Sequence, residues 1–225
     1  MQAETQTAAD WWARPRGLAT EHWVGNYQRS MANRHRDVIL AAVQALAPRT
    51  LLEVGCHCGP NLIRLAQGCP SLEQLTGCDV SAEAIAAGRL WIAREGLSHR
   101  IRLEEGRIPT ALSDLPDACV DVVLSCYTLA YVAPGDLDAV LYELGRVARQ
   151  AVVLAEPMPP TASSRVTMGG YSEWAHDYAA SRPWIGTWRG MTWDTWPIVP
   201  PVDALTHVQV GRRDGVSMPS QGTTQ

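Results

Sequence analysis

A single stretch, residues 50–62, limits the fold of this chain more than any other; its sequence is TLLEVGCHCGPNL. Apolar residues lead into the acidic Glu53, two glycines at positions 55 and 59 interrupt the run, and a helical pattern follows. This order predicts a strand, a tight turn and a helix, because glycine lets the backbone turn sharply or approach a ligand closely. In open α/β sheets, ligands bind at this carboxyl edge of the strands.

The same stretch resembles the first motif of class I S-adenosylmethionine-dependent methyltransferases. In that family an acidic residue and a spaced glycine loop, often Glu-x-Gly-x-Gly-x-Gly, hold the methionine part of the cofactor. His57 stands at the middle glycine here, and the pattern of residues 55–62 is similar to that of small-molecule and sugar-pathway members. The resemblance implies cofactor contacts from the following residues of this stretch: Glu53, Gly55, Cys56, His57, Gly59 and Asn61.

A second acidic strand end follows at Asp79, with Ser81 as a natural N-cap for the next helix. A carboxylate at this place can accept hydrogen bonds from both ribose hydroxyls of a nucleoside. In the resembling family the matching acid binds the ribose of S-adenosylmethionine, so Asp79 and Val80 are expected at the cofactor. The dinucleotide fingerprint Gly-x-Gly-x-x-Gly does not fit, because positions 57 and 60 are His and Pro, which argues against a nicotinamide dehydrogenase.

Arg107 follows a third strand, at residues 100–105, where the family often has an acid that faces the adenine amine. A guanidinium has no hydrogen-bond acceptor and cannot take that role. The expectation is therefore that Arg107 stacks on the adenine face, while the backbone of Arg107 and Ile108 contacts the adenine edge.

Residues 120–126 are almost all apolar, as expected for a central strand that is buried on both faces. The resemblance places the end of this strand, with Ser125 and Cys126, beside the transferred methyl group. Strands and helices alternate through residue 155, which predicts a doubly wound parallel sheet. The resemblance implies an α/β fold with a seven-stranded, mostly parallel sheet whose last strand is antiparallel, an N-terminal helical segment and a Trp-rich C-terminal insertion.

The chain divides into three regions: an N-terminal arm with helices at residues 1–47, a cofactor-binding core at 48–156, and substrate-side loops with closing strands at 157–225. Residues 31–46 have helical spacing of apolar residues, and Arg36 is expected to be solvated. The N-terminal region is expected to act as a lid, with a loosely docked tail as the alternative. Five of the nine Trp residues fall between positions 171 and 196, and their role as pocket, lid or dimer surface is open.

Transfer of a methyl group to a hydroxyl or an ammonium group needs a base. The candidates are His176 as the base, Tyr127 as a substrate contact at the end of the central strand, and Glu156 at the end of the fifth strand. A purely structural role is the alternative for a lone histidine.

Composition and residue spacing argue against several other classes of protein. The formal net charge of -4 and the lack of a basic run argue against a nucleic-acid partner, as does the absence of a Pro-Pro-Tyr motif after the central strand. The Cys56-x-Cys58 spacing is not that of a structural zinc site, so no metal is expected. No apolar run approaches the roughly 18 residues that span a membrane, and no signal pattern is present, so the expected location is the cytoplasm.

The sequence therefore predicts an enzyme that transfers a methyl group from S-adenosylmethionine to an O or N atom of a small molecule, such as a sugar or a specialised metabolite. The mechanism expected is in-line displacement at the methyl carbon. Two alternatives stay open: a nucleic-acid or protein methyltransferase, and a non-catalytic cofactor-binding or partner module. The acceptor and the oligomeric state, including a homodimer, also stay open.

Overall fold

The structure is a computed structural model that describes residues 7–15, 18–157, 165–168, 171–176, 191–197, 206–213 and 215–216. The helices are α1 (Ala8–Ala13), α2 (Leu18–Arg29), α3 (Arg34–Leu46), α4 (Pro60–Gly68), α5 (Ala82–Arg94), α6 (Thr110–Ser113) and α7 (Pro134–Val147). Short 3₁₀ turns occur at Ser30–Ala32 and Leu129–Tyr131. The strands are β1 (Thr50–Val54), β2 (Gln74–Asp79), β3 (Ile101–Glu105), β4 (Val120–Cys126), β5 (Ala148–Pro157), β6 (Arg165–Met168), β7 (Tyr171–Trp174), β8 (Met191–Pro197) and β9 (Thr206–Arg213).

The main sheet has the strand order β3-β2-β1-β4-β5-β9-β8. Strands β1 to β5 pair in parallel, while β9 pairs antiparallel with both of its neighbours, β5 and β8. The expected mostly parallel sheet with its last strand antiparallel is thus confirmed. The chain leaves β1 toward β2 on one side and returns to β4 on the other. Such a reversal of strand order opens a crevice at the carboxyl ends of the strands.

The core lies on both faces of this sheet because neighbouring residues of a strand point to opposite sides. In β1, Leu51 packs in the cluster that includes α3 and α4, whereas Leu52 packs in the cluster that includes α7. In β4, Val122 and Val123 divide between the same two clusters, and neither is exposed to solvent. The central strand is therefore buried on both faces, as its apolar sequence predicted.

One side chain of α3 lies in an unexpected place. The sequence favoured a solvated Arg36, and this is wrong: Arg36 is only 3% exposed. Its guanidinium points inward and donates to Ser30 and Asn61, so that polar partners replace water around the charge.

Much of the predicted Trp-rich insertion, at residues 177–190, lies outside the described residues. The neighbouring strands β6 and β7 form a separate antiparallel pair. Within the described part of the chain, no helix has the length and apolar character needed to cross a membrane.

Two glycines make a matched test of how closely α5 packs on the turn after β1. A Cβ at Gly88 would meet the backbone oxygen of Cys58 at 2.7 Å, whereas a Cβ at Gly135 would meet nothing within 4 Å. Gly88→Ala should therefore lower the free energy of unfolding by about 1–3 kcal/mol, despite the better helix propensity of alanine. Gly135→Ala should leave the free energy of unfolding unchanged or raise it. Urea unfolding of both variants measures the difference, and equal stability would contradict close packing at Gly88.

Candidate functional site

The turn after β1 contains three residues in the left-handed region of backbone conformation. Gly55 has φ 67°, His57 has φ 48° and Gly59 has φ 77°. At Gly55 a side chain is excluded outright, because a Cβ would lie 1.9 Å from Oγ1 of Thr128. His57 stands at the family's middle glycine and adopts a left-handed conformation that glycine would reach without strain.

Asp79, at the end of β2, holds this turn in place. Its Oδ2 accepts a hydrogen bond from the backbone N–H of His57 at 2.8 Å, and its Oδ1 accepts from the N–H of Ser81 at 2.9 Å. Burial raises the pKa of Asp79, and hydrogen bonds from Ser81, His57 and Val80 oppose that rise. Each oxygen of a carboxylate has a second lone pair, so Asp79 can still accept hydrogen bonds from a ligand.

Glu53, at the end of β1, is 1% exposed. Nδ2 of Asn61 donates to its Oε1 at 2.6 Å, while its Oε2 has no hydrogen-bond partner among the described residues. Burial raises the pKa of Glu53 to about 8, and the hydrogen bond from Asn61 and the charge of Arg36 oppose that rise. A buried carboxylate oxygen without a donor is rare, and it points to a ligand or a missing partner.

A cavity of about 530 Å³ opens at the carboxyl ends of β1, β2 and β4. It brings together the following residues that the sequence assigned to the cofactor: Gly55, His57, Asp79, Val80, Arg107, Ile108 and Cys126. Tyr127 also lines it. The other predicted cofactor residues, Glu53, Cys56, Gly59, Asn61 and Ser125, are not part of its lining.

Glu156 lies behind Tyr127 and organises the chain that follows β4. Its carboxylate accepts four hydrogen bonds, from Oγ of Ser125 at 2.7 Å and from the backbone N–H groups of Thr128, Leu129 and Ala130. Burial raises its pKa to about 7. This network fixes the turn in which Tyr127 adopts φ 52° and faces the cavity. A part for Glu156 in the chemistry stays a prediction.

His176 is 2% exposed and is not part of the cavity lining. Its Nε2 lies 3.1 Å from the carbonyl oxygen of Leu129 and 3.0 Å from that of Val132. Because carbonyl oxygens only accept hydrogen bonds, Nε2 carries the proton, and Nδ1 is the ring atom that can take up another. Burial also lowers its pKa. His176 stacks against Trp174, which does line the cavity, and its role as a base stays a prediction.

The N-terminal helices supply one part of the cavity wall, and α7 supplies another with Asp136, Ala139 and Val140. The ring of Trp12 on α1 packs edge to face on the rings of Tyr131 and His57, with ring centroids 5.6 Å and 6.3 Å apart. The ring centroid of Tyr27 on α2 lies 4.6 Å from that of His57. Arg107 forms an ion pair with Asp10 of α1. The two departures from the family motif, His57 and Arg107, thus both contact the N-terminal region.

The sequence did not indicate every residue of the cavity, and it did not indicate the partners of some buried charged residues. Tyr131 was not singled out, although it follows the strand end that had been selected. The sequence did not reveal the packing partners of Arg36 and Glu156, because Asn61 lies 25 residues from Arg36 and the donors to Glu156 lie 26–31 residues from it. Across the described residues, no group of three His, Cys, Asp or Glu side chains is placed to hold a metal ion.

Comparison with known proteins identifies this architecture. Residues 51–151 match the model of a protein family described as a methyltransferase domain. This part of the chain is therefore similar to a methyltransferase domain. The demethylmenaquinone methyltransferase of Porphyromonas gingivalis is 30% identical over 87 residues, and the match covers 36% of this chain and 36% of that protein.

Solved structures share the fold of this chain. The magnesium protoporphyrin IX methyltransferase of Synechocystis PCC 6803, with S-adenosylmethionine bound, has a TM-score of 0.60 and 18% identity, over 89% of this chain and 85% of that one. The 1,6-didemethyltoxoflavin-N1-methyltransferase of Burkholderia thailandensis, with its substrate and S-adenosylhomocysteine bound, has a TM-score of 0.63 and 13% identity, over 94% and 92%. At these identities the likeness shows the fold alone, a Rossmann-like α/β fold.

The buried Glu53 should make the protein less stable as the pH rises. In the folded state the pKa of Glu53 is about 8, compared with the ordinary value of 4.5. Between these two pH values the folded state keeps a proton that the unfolded state has lost, so the free energy of unfolding falls as the pH rises through this range. Glu53→Gln, which cannot ionise, should raise the free energy of unfolding at pH 8 by on the order of 2 kcal/mol, with a smaller effect at pH 5.

Urea unfolding at both pH values checks this expectation. Glu73→Gln is the control, because Glu73 is an exposed acid that precedes β2 and pairs with Arg49. A gain for Glu53→Gln that is equal at pH 5 and pH 8 would show that ionisation of Glu53 does not limit stability.

Proposed function

We propose that this chain transfers a methyl group from S-adenosylmethionine to an O or N atom of a small molecule by in-line displacement. One observation carries the proposal: Asp79 and Gly55 line the same cavity as the aromatic residues Tyr127 and Trp174. The first pair suits a nucleoside cofactor, and the second suits a small acceptor with a flat or apolar face. The bound cofactor supplies a methyl group that its sulfonium has already activated.

The residues present fit this cofactor. Asp79 would hold the ribose hydroxyls, since it lines the cavity and keeps lone pairs beyond its two backbone hydrogen bonds. Gly55 lines the cavity and would contact the methionine part, and the oxygen of Glu53 without a donor suits its ammonium group. Arg107 and Ile108 line the same cavity and would contact the adenine.

On the acceptor side, the chain's own work is to position the acceptor and to exclude water. The described part of the lining includes the aromatic residues Trp12, Tyr27, Tyr127, Tyr131 and Trp174. Its one arginine, Arg107, is already paired with Asp10. A largely apolar wall favours an uncharged acceptor, such as a sugar or a specialised metabolite, and keeps water from the reacting atoms.

Tyr127 is the candidate to take up the proton that the acceptor loses, because it lines the cavity. His176 and Glu156 lie behind the wall, so we propose that they act through the backbone that they hold, Glu156 on the turn after β4 and His176 on the carbonyl groups of Leu129 and Val132. A direct role as a base would require His176 to use Nδ1.

We further infer that the three regions of the chain divide the work. Residues 48–156 bind the cofactor, and residues 1–47 cover it, as the contacts of Trp12 and Asp10 with the cavity residues support. Residues 157–225 face the acceptor, which the position of Trp174 supports. The Trp-rich insertion and the full set of sheet strands would complete the acceptor side of the cavity. The insertion is also the candidate surface for a homodimer.

The cofactor role is tested by calorimetric titration with S-adenosylhomocysteine. Asp79→Ala should weaken binding by at least about 10-fold, because it removes charge-assisted hydrogen bonds to the ribose. Glu73→Ala removes an acid before the start of the same strand and should bind as the wild type does. A wild-type protein that is folded and does not bind the cofactor product would refute the proposal.

The covering role of α1 is tested at Trp12. Trp12→Ala should lower kcat/KM for a methyl acceptor by roughly 10-fold, through loss of about 1.5 kcal/mol of aromatic contact, with little change in stability. Acceptors are found by screening flat heteroaromatic compounds and sugars for production of S-adenosylhomocysteine. Trp11→Ala is the control, because Trp11 contacts Trp12 but does not line the cavity. Transfer to RNA or protein substrates alone would favour the other methyltransferase classes.

A further inference from the structure

We propose that Arg36 is a positioning residue for the cofactor, acting through Asn61 on Glu53, so that the N-terminal helices set how the methionine end of the cofactor is held. This inference rests on the proposed function. It concerns a side chain of α3 that does not line the cavity.

The first step is the burial of Arg36. Its Nε donates to the carbonyl oxygen of Ser30 at 3.1 Å, and its Nη2 donates to the Ser30 hydroxyl at 2.9 Å. Its Nη1 donates to Oδ1 of Asn61. A buried guanidinium is stable only when its donors are satisfied, and here the turn at Ser30–Ala32 and α4 share that task.

The second step is the orientation of the Asn61 amide. Arginine has donors and no acceptor, so Asn61 must turn its oxygen toward Arg36 and its NH₂ group away. That NH₂ group then donates to Oε1 of Glu53 at 2.6 Å. Without Arg36, the amide of Asn61 would have no fixed orientation, and its NH₂ group would no longer be directed toward Oε1 of Glu53.

The third step is the second oxygen of Glu53. With Oε1 held by Asn61, Oε2 is buried and has no hydrogen-bond partner in the described part of the chain. Arg36 on α3 and Asp79 on β2 are the charged groups that act on Glu53, and the thiols coupled to it are those of Cys56, Cys58, Cys78 and Cys126. None of these groups donates to Oε2, so a cationic donor from the ligand is the partner that completes the network.

Two ligands separate this role from a general effect on the fold. S-adenosylhomocysteine has the amino-acid end, whereas 5′-methylthioadenosine has the same nucleoside and thioether without it. Calorimetry with Arg36→Met should show S-adenosylhomocysteine binding weakened by about 10-fold or more, the usual cost of a disturbed charge-assisted hydrogen bond. Binding of 5′-methylthioadenosine should be unchanged within error. Arg36→Lys, which keeps a buried cationic donor, should recover part of the lost affinity.

The control is Arg64→Met. Arg64 on α4 pairs with Asp37 on α3 at 2.7 Å, so this variant removes an ion pair between the same two helices at the surface. Both ligands should bind to it as to the wild type. If Arg36→Met does not fold, Asn61→Ser supplies the same comparison, since it removes the donor to Oε1 of Glu53 directly.

The outcomes are distinct. Equal weakening of both ligands, or no weakening of either, would overturn the role of Arg36 while leaving the methyltransferase proposal in place. A wild-type protein that binds neither ligand would instead overturn the proposed cofactor. Selective loss of S-adenosylhomocysteine in Arg36→Met would establish the positioning role.

Discussion

The hydrogen bond from the His57 backbone to Asp79 is the interaction on which the site depends. Three residues of the turn after β1 must adopt left-handed conformations, and one of them, His57, has a side chain that makes this costly. The carboxylate of Asp79 offsets that cost by accepting the His57 N–H at 2.8 Å. The same carboxylate faces the cavity, so the group that holds the turn is also the group that can bind a ribose.

From this turn the rest of the site follows by contact. Gly55 lies against Thr128, whose hydroxyl donates to the carbonyl oxygen of Val54 at 3.1 Å, and this contact ties the end of β1 to the end of β4. Glu156 then fixes the backbone from Thr128 onward and leaves Tyr127 at the cavity. A change at any of these points moves both sides of the cavity, because each side is built on a neighbouring strand end.

Sequence patterns predicted the parts of this site that depend on local chemistry. The turn with Gly55 and Gly59, the acid at Asp79 and the buried strand β4 all depend on residues close together in the chain, and the structure has each of them. The stability test at Gly88 depends on a contact that no local pattern reports. Likewise, helical spacing assigned Arg36 to the surface, since its partner Asn61 is distant in the sequence and only the packing of α3 on α4 brings them together.

The two buried glutamates at the strand ends differ in how completely the protein satisfies their hydrogen bonds. Burial raises the pKa of both, to about 8 for Glu53 and about 7 for Glu156, so charge alone does not distinguish them. The hydrogen bonds of the two glutamates do distinguish them. Glu156 accepts from four donors of the protein and has both oxygens satisfied, whereas Glu53 accepts from Asn61 and leaves Oε2 without a partner.

A fully satisfied carboxylate gains little from a ligand, and it would lose protein hydrogen bonds if it turned to act as a base. An unsatisfied one carries the cost of burial until a donor arrives, and a ligand that supplies this donor recovers that cost as affinity. In the proposed site, Glu53 would therefore bind a cation, while Glu156 favours one conformation of the chain after β4.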